Sequence, residues 1–378
     1  MNRIYLDHAA TTPVDPAVAQ VMQPYLDAVF GNPSAVYRDG QAARAGVEEA
    51  RRQVAALLKA EPASIFFTSG GSESDNWAIK GTAFALRARG RHLITTAIEH
   101  PAVLGTCAFL ERCGFEITYL PVDSVGLVNP KALKAAIQDD TILVSVMAAN
   151  NEIGTVEPIA ELAAVAHAAG VRFHTDAVQA CGNVSMDVRA LDVDLLSLSG
   201  HKFYGPKGVG ALYVRPGCKL EPLIHGGEQE RGRRAGTENT AAIVGIGAAA
   251  KLAAADQAAG ARREAALRDA LIAGLTAIPG VRLTGHPERR LPGNASFCFD
   301  DLRSEALLTA LDLAGIEASG GSACTAGSLS PSHVLTAIGV PENRARNALR
   351  LTLGRGTTAK QIEQTVTAVR RIVERLRA

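Results

Sequence analysis

The chain has 378 residues, about two and a half times the usual ~150-residue domain and enough for a large core in one domain or two unequal ones. Lysine and arginine number 39 against 38 aspartates and glutamates, so the formal net charge is +1. A near-neutral chain with 4% aromatic residues gives no electrostatic or stacking reason to expect a nucleic-acid or membrane partner. Its 47% hydrophobic content excludes a disordered protein.

The cysteines and the N-terminal sequence indicate the cellular compartment. Six cysteines without any CxxC pair are too sparse for a disulfide-built secreted scaffold. The start, MNRIYLDHAATTP, has no charged head followed by an apolar run, so we expect no signal peptide. The longest apolar stretch, 241–250, is far shorter than the ~20 residues that cross a bilayer. We therefore expect a cytoplasmic protein.

Short apolar runs rich in β-forming residues alternate with helix-like segments over the first 220 residues. Strands are predicted at 64–68, 92–96, 115–120, 141–147, 171–175, 194–198 and 208–214. Helices are predicted at 73–89, from 101 onward, at 130–138 and at 158–169. This alternation predicts an α/β fold with a mostly parallel central sheet and helices on both faces.

The pattern changes after about residue 220. A Gly- and Arg-rich stretch, 225–239, leads into an Ala-rich helical region at about 240–275, and a smaller α+β unit follows, ending in an amphipathic helix at 358–377. We place the domain boundary inside the Ala-rich helix. The expected division is a large domain over 1–255 and a small C-terminal domain over 256–378, on which the extreme N-terminal segment could also pack.

Polar residues follow several predicted strands, at the sheet edge where open α/β sheets bind ligands. The first is the segment SGGSES (69–74), whose glycines and helix start suit an anion such as phosphate, although a capped β-to-α turn explains it equally well. The residues after the other strands are Glu99, His100, Pro101, Asn150, Asn151, Glu152, Asp176, Gln179, Ser199, His201 and Lys202. Each alone suits a solvated loop, but together they predict a site.

The residue types at this edge predict a cofactor. A lysine can form a Schiff base with a carbonyl, and a carboxylate can keep a pyridinium nitrogen protonated. With a phosphate cradle, these are the requirements of pyridoxal 5'-phosphate, whose ring acts as an electron sink. Lys202 and Lys207 both suit the lysine role, and spacing alone does not choose between them.

Cys324 lies in a different setting from the other cysteines. The segment 318–333 is crowded with Gly, Ser and Ala and cannot bury itself, so we expect a mobile, exposed loop there. A thiol on such a loop suits a nucleophile, with an unimportant surface cysteine as the alternative. The cysteines in helix-like or strand-like surroundings are predicted to be buried structural thiols: Cys107, Cys113, Cys181 and Cys298.

Two other patterns do not predict function on their own. A G-x-G-x-x-A match at 245–250 lies inside the Ala-rich helical region without a preceding strand, so we do not expect a dinucleotide site. Three arginines within 231–234 are balanced by three interleaved glutamates, which indicates a flexible functional loop or an interface in preference to a nucleic-acid site.

Several longer motifs occur in order along almost the whole chain. They are YLDHAATTP (5–13), FGNPS (30–34), FTSGGSESDN (67–76), EHPAVL (99–104), NNEIGT (150–155), FHTDAVQ (173–179), SGHKFYGPKG (199–208), RGRRAGTEN (231–239), GSACTAGSLSPSH (321–333) and LRLTLGR (349–355). Together they resemble the cysteine desulfurases of the nitrogen-fixation and iron–sulfur type, in the class V group of pyridoxal-phosphate aminotransferases. The resemblance implies the fold-type I architecture of pyridoxal-phosphate-dependent transferases.

The resemblance implies a role for each residue around the cofactor ring. It selects Lys202 as the lysine that binds the cofactor. Asp176 is implied to pair with the pyridine nitrogen, and His100 to lie over the ring and assist proton transfers. Gln179 and Asn151 are implied to contact the ring-oxygen side.

The phosphate site is implied in the same way. Gly71, Ser72, Ser199 and His201 are implied to hold the phosphate. Thr237 is implied to reach the phosphate of a neighbouring subunit, which implies a homodimer with shared sites.

The implied reaction is the removal of sulfur from L-cysteine to give L-alanine and a persulfide. Arg350, together with Asn151, is implied to bind the substrate carboxylate, and Cys324 to carry the persulfide. The sulfur would then serve iron–sulfur cluster assembly or other sulfur transfer, through an acceptor or scaffold protein. We predict no metal site, although Cys324 could serve as a transient iron–sulfur ligand.

Three positions depart from the family pattern. Ser72 stands where threonine is usual, with the hydroxyl kept, and Gly320 stands where serine is common, which should loosen the following loop. The sequence ends at Ala378, whereas relatives usually continue into a tail that helps to dock a scaffold protein, so docking stays open. Alternative functions are a selenocysteine lyase, a class V aminotransferase, or a non-catalytic sulfur-carrier or scaffold subunit with the same fold.

Overall fold

The computed structural model describes residues 3–320 and 331–378. Its strands are β1 Ile4–Tyr5, β2 Ile65–Thr68, β3 His92–Thr96, β4 Glu116–Leu120, β5 Thr141–Ser145, β6 Arg172–Asp176, β7 Leu195–Ser199, β8 Gly210–Val214, β9 Val281–Thr284, β10 Asn294–Phe299, β11 Ile316–Glu317 and β12 Ala348–Thr352. Its helices are α1 Pro16–Met22, α2 Arg38–Leu58, α3 Gly71–Leu86, α4 Pro101–Arg112, α5 Pro130–Ala136, α6 Ile159–Ala168, α7 Val188–Leu191, α8 Gln229–Gly232, α9 Thr240–Thr276, α10 Ser304–Leu313, α11 His333–Ala337, α12 Glu342–Ala345 and α13 Ala359–Arg377.

The central sheet confirms the predicted fold class. Its strands lie in the order β2-β8-β7-β6-β5-β3-β4, and among the described strands of this sheet only β8 runs in the direction opposite to the others. Every residue of β2, β3, β5, β7 and β8 is buried. Such continuously apolar strands are expected where helices cover both faces of a sheet.

The boundaries of several elements differ from the predicted ones by a few residues. The helix predicted at 73–89 begins at Gly71 and ends at Leu86. The strand predicted at 141–147 ends at Ser145, although the backbone N–H groups of Val146 and Ala148 still donate to carbonyls of β6 and its end. With these bounds, the candidate site residues lie at the carboxyl edge of the sheet, a few residues after the strand ends.

A second, smaller sheet has the antiparallel order β12-β10-β9 and packs against α10 and α13. The N-terminal segment joins this part of the molecule, because β1 pairs in parallel with β11, and Ile4 and Leu6 enter its core. Helix α9 runs through both cores: Ile246 packs in the large core and Leu271 in the small one. The predicted boundary at 255/256 falls within this continuous helix and stays a prediction.

The cysteines give one correction to the sequence analysis. Cys107, Cys181 and Cys298 are buried, as predicted. Cys113 is exposed, and the prediction for it was wrong because α4 ends one residue earlier and the chain turns outward through Gly114, where φ is +82°. Among the described helices, none combines the length and apolar character needed to cross a membrane.

Candidate active site

A cavity of about 300 Å³ opens at the carboxyl edge of the central sheet. Its walls include most of the predicted site residues: Gly71, Ser72, His100, Asn151, Asp176, Gln179, Ser199, His201, Lys202 and Arg350. Thr237 is exposed and is not part of these walls, and Cys324 lies outside the described residues. The fold therefore brings together ten predicted residues that come from six separate motifs.

The start of α3 forms the anion-binding end of the cavity. The helix begins at Gly71, and no side chain among the described residues caps it, so its first N–H groups and the Ser72 hydroxyl can bind a ligand. A Cβ atom at Gly71 would lie 2.6 Å from a methyl carbon of Val178, so the close approach of α3 to the sheet edge requires glycine. With Ser199 buried at the end of β7, this end fits a phosphate group.

Asp176 lies at the end of β6 and is only 5% exposed. One of its oxygens, Oδ1, accepts a hydrogen bond of 2.9 Å from the backbone N–H of Val178. Burial raises the pKa of Asp176, whereas the charge of Lys202, and that of His100 when it is protonated, oppose that shift. A protonated ring nitrogen placed beside this carboxyl group would stabilise its charged form, as the predicted cofactor requires.

His100 occupies the N-cap position of α4, followed by Pro101 in the first turn. Its Nδ1 accepts a hydrogen bond of 3.1 Å from the N–H of Ala102, so in the neutral ring the proton is on Nε2. Burial lowers the pKa of His100, so the ring is neutral near pH 7. The cap thus fixes both the tautomer and the direction of a histidine that lines the cavity.

The N-terminal segment forms the floor beneath Lys202. The Nζ of Lys202 donates to the carbonyl oxygens of Ala9 and Ala10, the latter at 2.9 Å. The side-chain amide of Gln179 donates to the same Ala9 oxygen at 2.9 Å. Lys207 is exposed and does not line the cavity. Position therefore favours Lys202 over Lys207, which spacing alone could not do.

His201 and Arg350 complete the walls. His201 Nδ1 lies 3.1 Å from the hydroxyl oxygen of Thr11, and burial lowers the pKa of His201 to about 4. Arg350 is 1% exposed and donates to the carbonyl of Asn151 and to the carboxylate of Asp7, each at 2.9 Å. Its Nε finds no partner among the described residues, and the side chain lines the cavity, where a guanidinium suits a substrate carboxylate.

The arginine-rich segment near Thr237 is held by contacts within the chain. Arg231 donates to the carbonyl of Ile65 at 2.7 Å and stacks over the ring of Phe66. Arg234 pairs with Glu73 in the first turn of α3, with its Nε 2.8 Å from the carboxylate. These arginines therefore pack the segment against the cavity-bearing part of the fold.

Several residues near the site were missed as site residues. Asp75 and His333 line the cavity, as does Glu152, which the sequence analysis had grouped at this edge, and Asp7 contacts Arg350. The three missed residues, Asp7, Asp75 and His333, lie in motifs that the sequence displays, and the motif itself was the available signal. Their contacts depend on segments that are far apart in the chain, so no spacing rule could assign them.

Comparison with known proteins identifies the family. Residues 4–365 match the model of the aminotransferase class-V family. A protein of Methanosarcina thermophila named cysteine desulfurase IscS is 54% identical over 374 residues, covering 99% of this chain and 93% of the relative. The chain belongs to the class-V aminotransferase family, among its cysteine desulfurases. Pyridoxal phosphate is the cofactor of this family, so the predicted cofactor is confirmed.

Other known proteins are similar to this chain in sequence or in structure. A cysteine desulfurase IscS of Dictyoglomus turgidum is 52% identical, covering 100% of this chain and 96% of the relative. A solved structure described as a NifS-like protein has a TM-score of 0.93 at 38% identity, covering 98% of this chain and 99% of that one. A structure of SspA in complex with cysteine has a TM-score of 0.83 at 40% identity, covering 93% and 99%.

Proposed function

We propose that the protein takes the sulfur atom from L-cysteine, releases L-alanine and keeps the sulfur as a persulfide on Cys324. The observation that carries this proposal is the shared cavity of Lys202, Asp176, His100 and Arg350. These four side chains supply an amine, a carboxylate, a neutral base and a guanidinium around one space. That set suits an amino acid whose Cα–H bond must be broken while its carboxylate is held.

The cofactor would be held by residues of the cavity wall. The phosphate would lie at the start of α3, against Gly71, Ser72 and Ser199. Lys202 would attach the cofactor, and Asp176 would hold its ring nitrogen protonated. When bound, pyridoxal phosphate supplies the electron sink that stabilises negative charge at the substrate Cα.

The chain's own groups then orient the substrate and move its protons. Arg350 lines the cavity with N–H groups beyond those that bind Asp7 and Asn151, so its guanidinium would hold the carboxylate, and Asn151 lies beside it. His100 is neutral near pH 7 with its proton on Nε2, so it can donate a hydrogen bond from Nε2, and it can pass that proton on only as Nδ1 takes up another. The amine of Lys202, once displaced, is a second group that can accept or return a proton.

Cys324 is the proposed sulfur acceptor. The backbone of Ser319 pairs with that of Arg350 through bonds of 2.7 and 3.2 Å, and His333 lines the cavity. The described residues on both sides of 321–330 therefore lie at the site. In the proposed step the Cys324 thiolate attacks the substrate sulfur: an S–S bond forms, the substrate Cβ–S bond breaks, and the remaining carbon skeleton becomes alanine after protonation.

A homodimer and a sulfur acceptor are part of this proposal. Large apolar side chains are exposed on one stretch of the single chain: Leu26 at 63%, Phe30 at 75% and Val36 at 87%. Such a patch favours burial against another surface, and a second copy would bring Thr237 to its neighbour's phosphate site. A sulfur-acceptor or iron–sulfur scaffold protein would then take the persulfide sulfur, in the cytoplasm.

The test replaces the proposed nucleophile and a matched cysteine. Cys324→Ser should keep the visible absorption band of the bound cofactor and lose alanine and sulfide formation from L-cysteine. Cys113→Ser, at an exposed cysteine on α4's end, should change neither. Sulfide release by Cys324→Ser at the wild-type rate would refute the proposal. Assays with selenocysteine and with a keto-acid acceptor separate it from a selenocysteine lyase and an aminotransferase.

A further inference from the structure

A connected group of buried polar side chains lies beneath Asp176. His174 precedes Asp176 by two residues in β6, so both side chains are on the same face of the strand. Ser145 on β5 and Ser197 on β7 flank the ring, with their Oγ atoms 2.8 Å from His174 Nδ1 and 2.9 Å from His174 Nε2. The Ser197 hydroxyl also faces the carboxyl group of Asp75, which comes from α3.

Asp75 is the member of this group whose charge matters. It is 1% exposed and lines the cofactor cavity. Its Oδ1 accepts no hydrogen bond from any described residue. A buried carboxylate with an unpartnered oxygen is costly unless a positive charge lies next to it.

The groups that face Asp75 offer no such charge. The nearest ring nitrogen, Nε2 of His174, is 3.8 Å away, but burial lowers the pKa of His174 to about 3, so the ring is neutral. Asp176 and Glu99 face Asp75 with carboxyl groups. The positive charges in the cavity, on Lys202 and on His100 when protonated, act on Asp176. Burial and the charge of Asp176 therefore raise the pKa of Asp75 well above its usual value.

We propose that Asp75 is a positioning residue for Asp176, kept uncharged so that the negative charge under the cofactor ring belongs to Asp176 alone. The inference rests on the proposed function, in which Asp176 pairs with the ring nitrogen. With Asp75 uncharged, the Ser197 hydroxyl is not drawn toward a carboxylate and donates to His174 Nε2, and His174 donates from Nδ1 to Ser145. Each link then has one donor and one acceptor.

This arrangement has a consequence for the cofactor. A second carboxylate beside Asp176 would share the ring proton and would repel the first one. With Asp75 uncharged, the Asp176 carboxylate keeps its hydrogen bond from the Val178 N–H and does not share a proton with a second carboxylate. The hydrogen bonds of His174 to Ser145 and Ser197 also join β5, β6 and β7 at this edge of the sheet.

The test uses the holoenzyme and two variants. Asp75→Asn is uncharged, has nearly the same shape and still donates a hydrogen bond, whereas Asp75→Leu fills the space without donating. Infrared difference spectra of protein labelled with ¹³C-aspartate should show a protonated carboxyl band near pH 7 that Asp75→Asn lacks. The pH midpoint of the cofactor's visible band should move by less than about half a unit in Asp75→Asn, because no charge is lost.

The two variants also show which results would contradict an uncharged Asp75. If Asp75 were ionised, replacing it would remove a negative charge from the site and would lower the pH midpoint of the visible band by about one unit or more. Such a shift in Asp75→Asn, together with no protonated carboxyl band in the wild type, would overturn the proposal. Asp75→Leu should lose cofactor more readily than Asp75→Asn, and equal retention would count against the hydrogen-bond relay. Wild-type protein without a visible band would instead reject the cofactor assignment on which the proposal rests.

Discussion

Arg350 and Asp7 form an ion pair in which an Nη atom of the arginine lies 2.9 Å from Oδ1 of the aspartate. Arg350 comes from β12, an edge strand of the small sheet, and Asp7 from the N-terminal segment, 343 residues earlier in the sequence. The arginine is 1% exposed and the aspartate side chain 18%. Asp7 and the carbonyl of Asn151 each accept from one Nη atom, so the guanidinium is fixed in orientation while three of its five N–H groups stay unused by these two partners.

Asp7→Asn is expected to raise the KM for L-cysteine about tenfold, with kcat changed much less. The charge-assisted hydrogen bond that orients Arg350 is worth about 1.4 kcal/mol more than its neutral replacement, and that energy corresponds to a factor of ten. Steady-state kinetics with the cofactor band as a loading control measure the effect. Glu317→Gln, which removes the exposed ion pair with Arg3, is the matched control. An unchanged KM in Asp7→Asn would show that Arg350 needs no such partner.

Thr237 is expected to act in the site of the other subunit. Lys202→Ala and Thr237→Asp should each be inactive alone, since one removes the cofactor lysine and the other brings a negative charge to the phosphate. If the subunits exchange residues, a mixed dimer contains one site with both changes and one with neither. Unfolding and co-refolding an equal mixture should then restore about a quarter of the wild-type activity, because half of the dimers are mixed and each has one intact site. No recovery in a mixture shown to form mixed dimers would place Thr237 in its own subunit's site or outside both.

Glu157→Gln is expected to stabilise the protein at alkaline pH. Burial raises the pKa of Glu157 to about 8, and Oε1 has no partner among the described residues. Below the usual value of 4.5 both folded and unfolded chains hold the proton. Between 4.5 and 8 the unfolded chain releases it first, so the free energy of unfolding falls by up to about 1.4 kcal/mol per pH unit.

The glutamine variant lacks this titration, so its stability relative to the wild type should increase steadily from pH 5 to pH 8. Urea unfolding at several pH values measures the difference. Glu161→Gln, at an exposed position on α6, is the control and should show no such trend. A stability difference between Glu157→Gln and the wild type that stays constant from pH 5 to pH 8 would mean that the pKa of Glu157 is not raised in the folded chain.

Local sequence determined the secondary structure and the edge at which the site lies. In an α/β protein, short apolar runs rich in β-forming residues form the buried strands of the central sheet. The strand at 92–96 was therefore predicted with the right bounds. Residues directly after parallel strands must lie at the carboxyl edge of the sheet, which is why His100, Asp176 and Lys202 could be grouped before any contact was known. The motifs of a known family then supplied their expected roles.

Tertiary structure alone decided which groups touch. The sequence could not choose Lys202 over Lys207 by spacing, because the choice depends on which of them faces the cavity. Nor could it pair Asp7 with Arg350 or place Asp75 under Asp176, since those contacts join segments whose separation in sequence carries no information about distance. Cys113 was misjudged for the same reason: whether a thiol at a helix end is buried depends on what packs beyond the last turn, and there the chain turns into solvent.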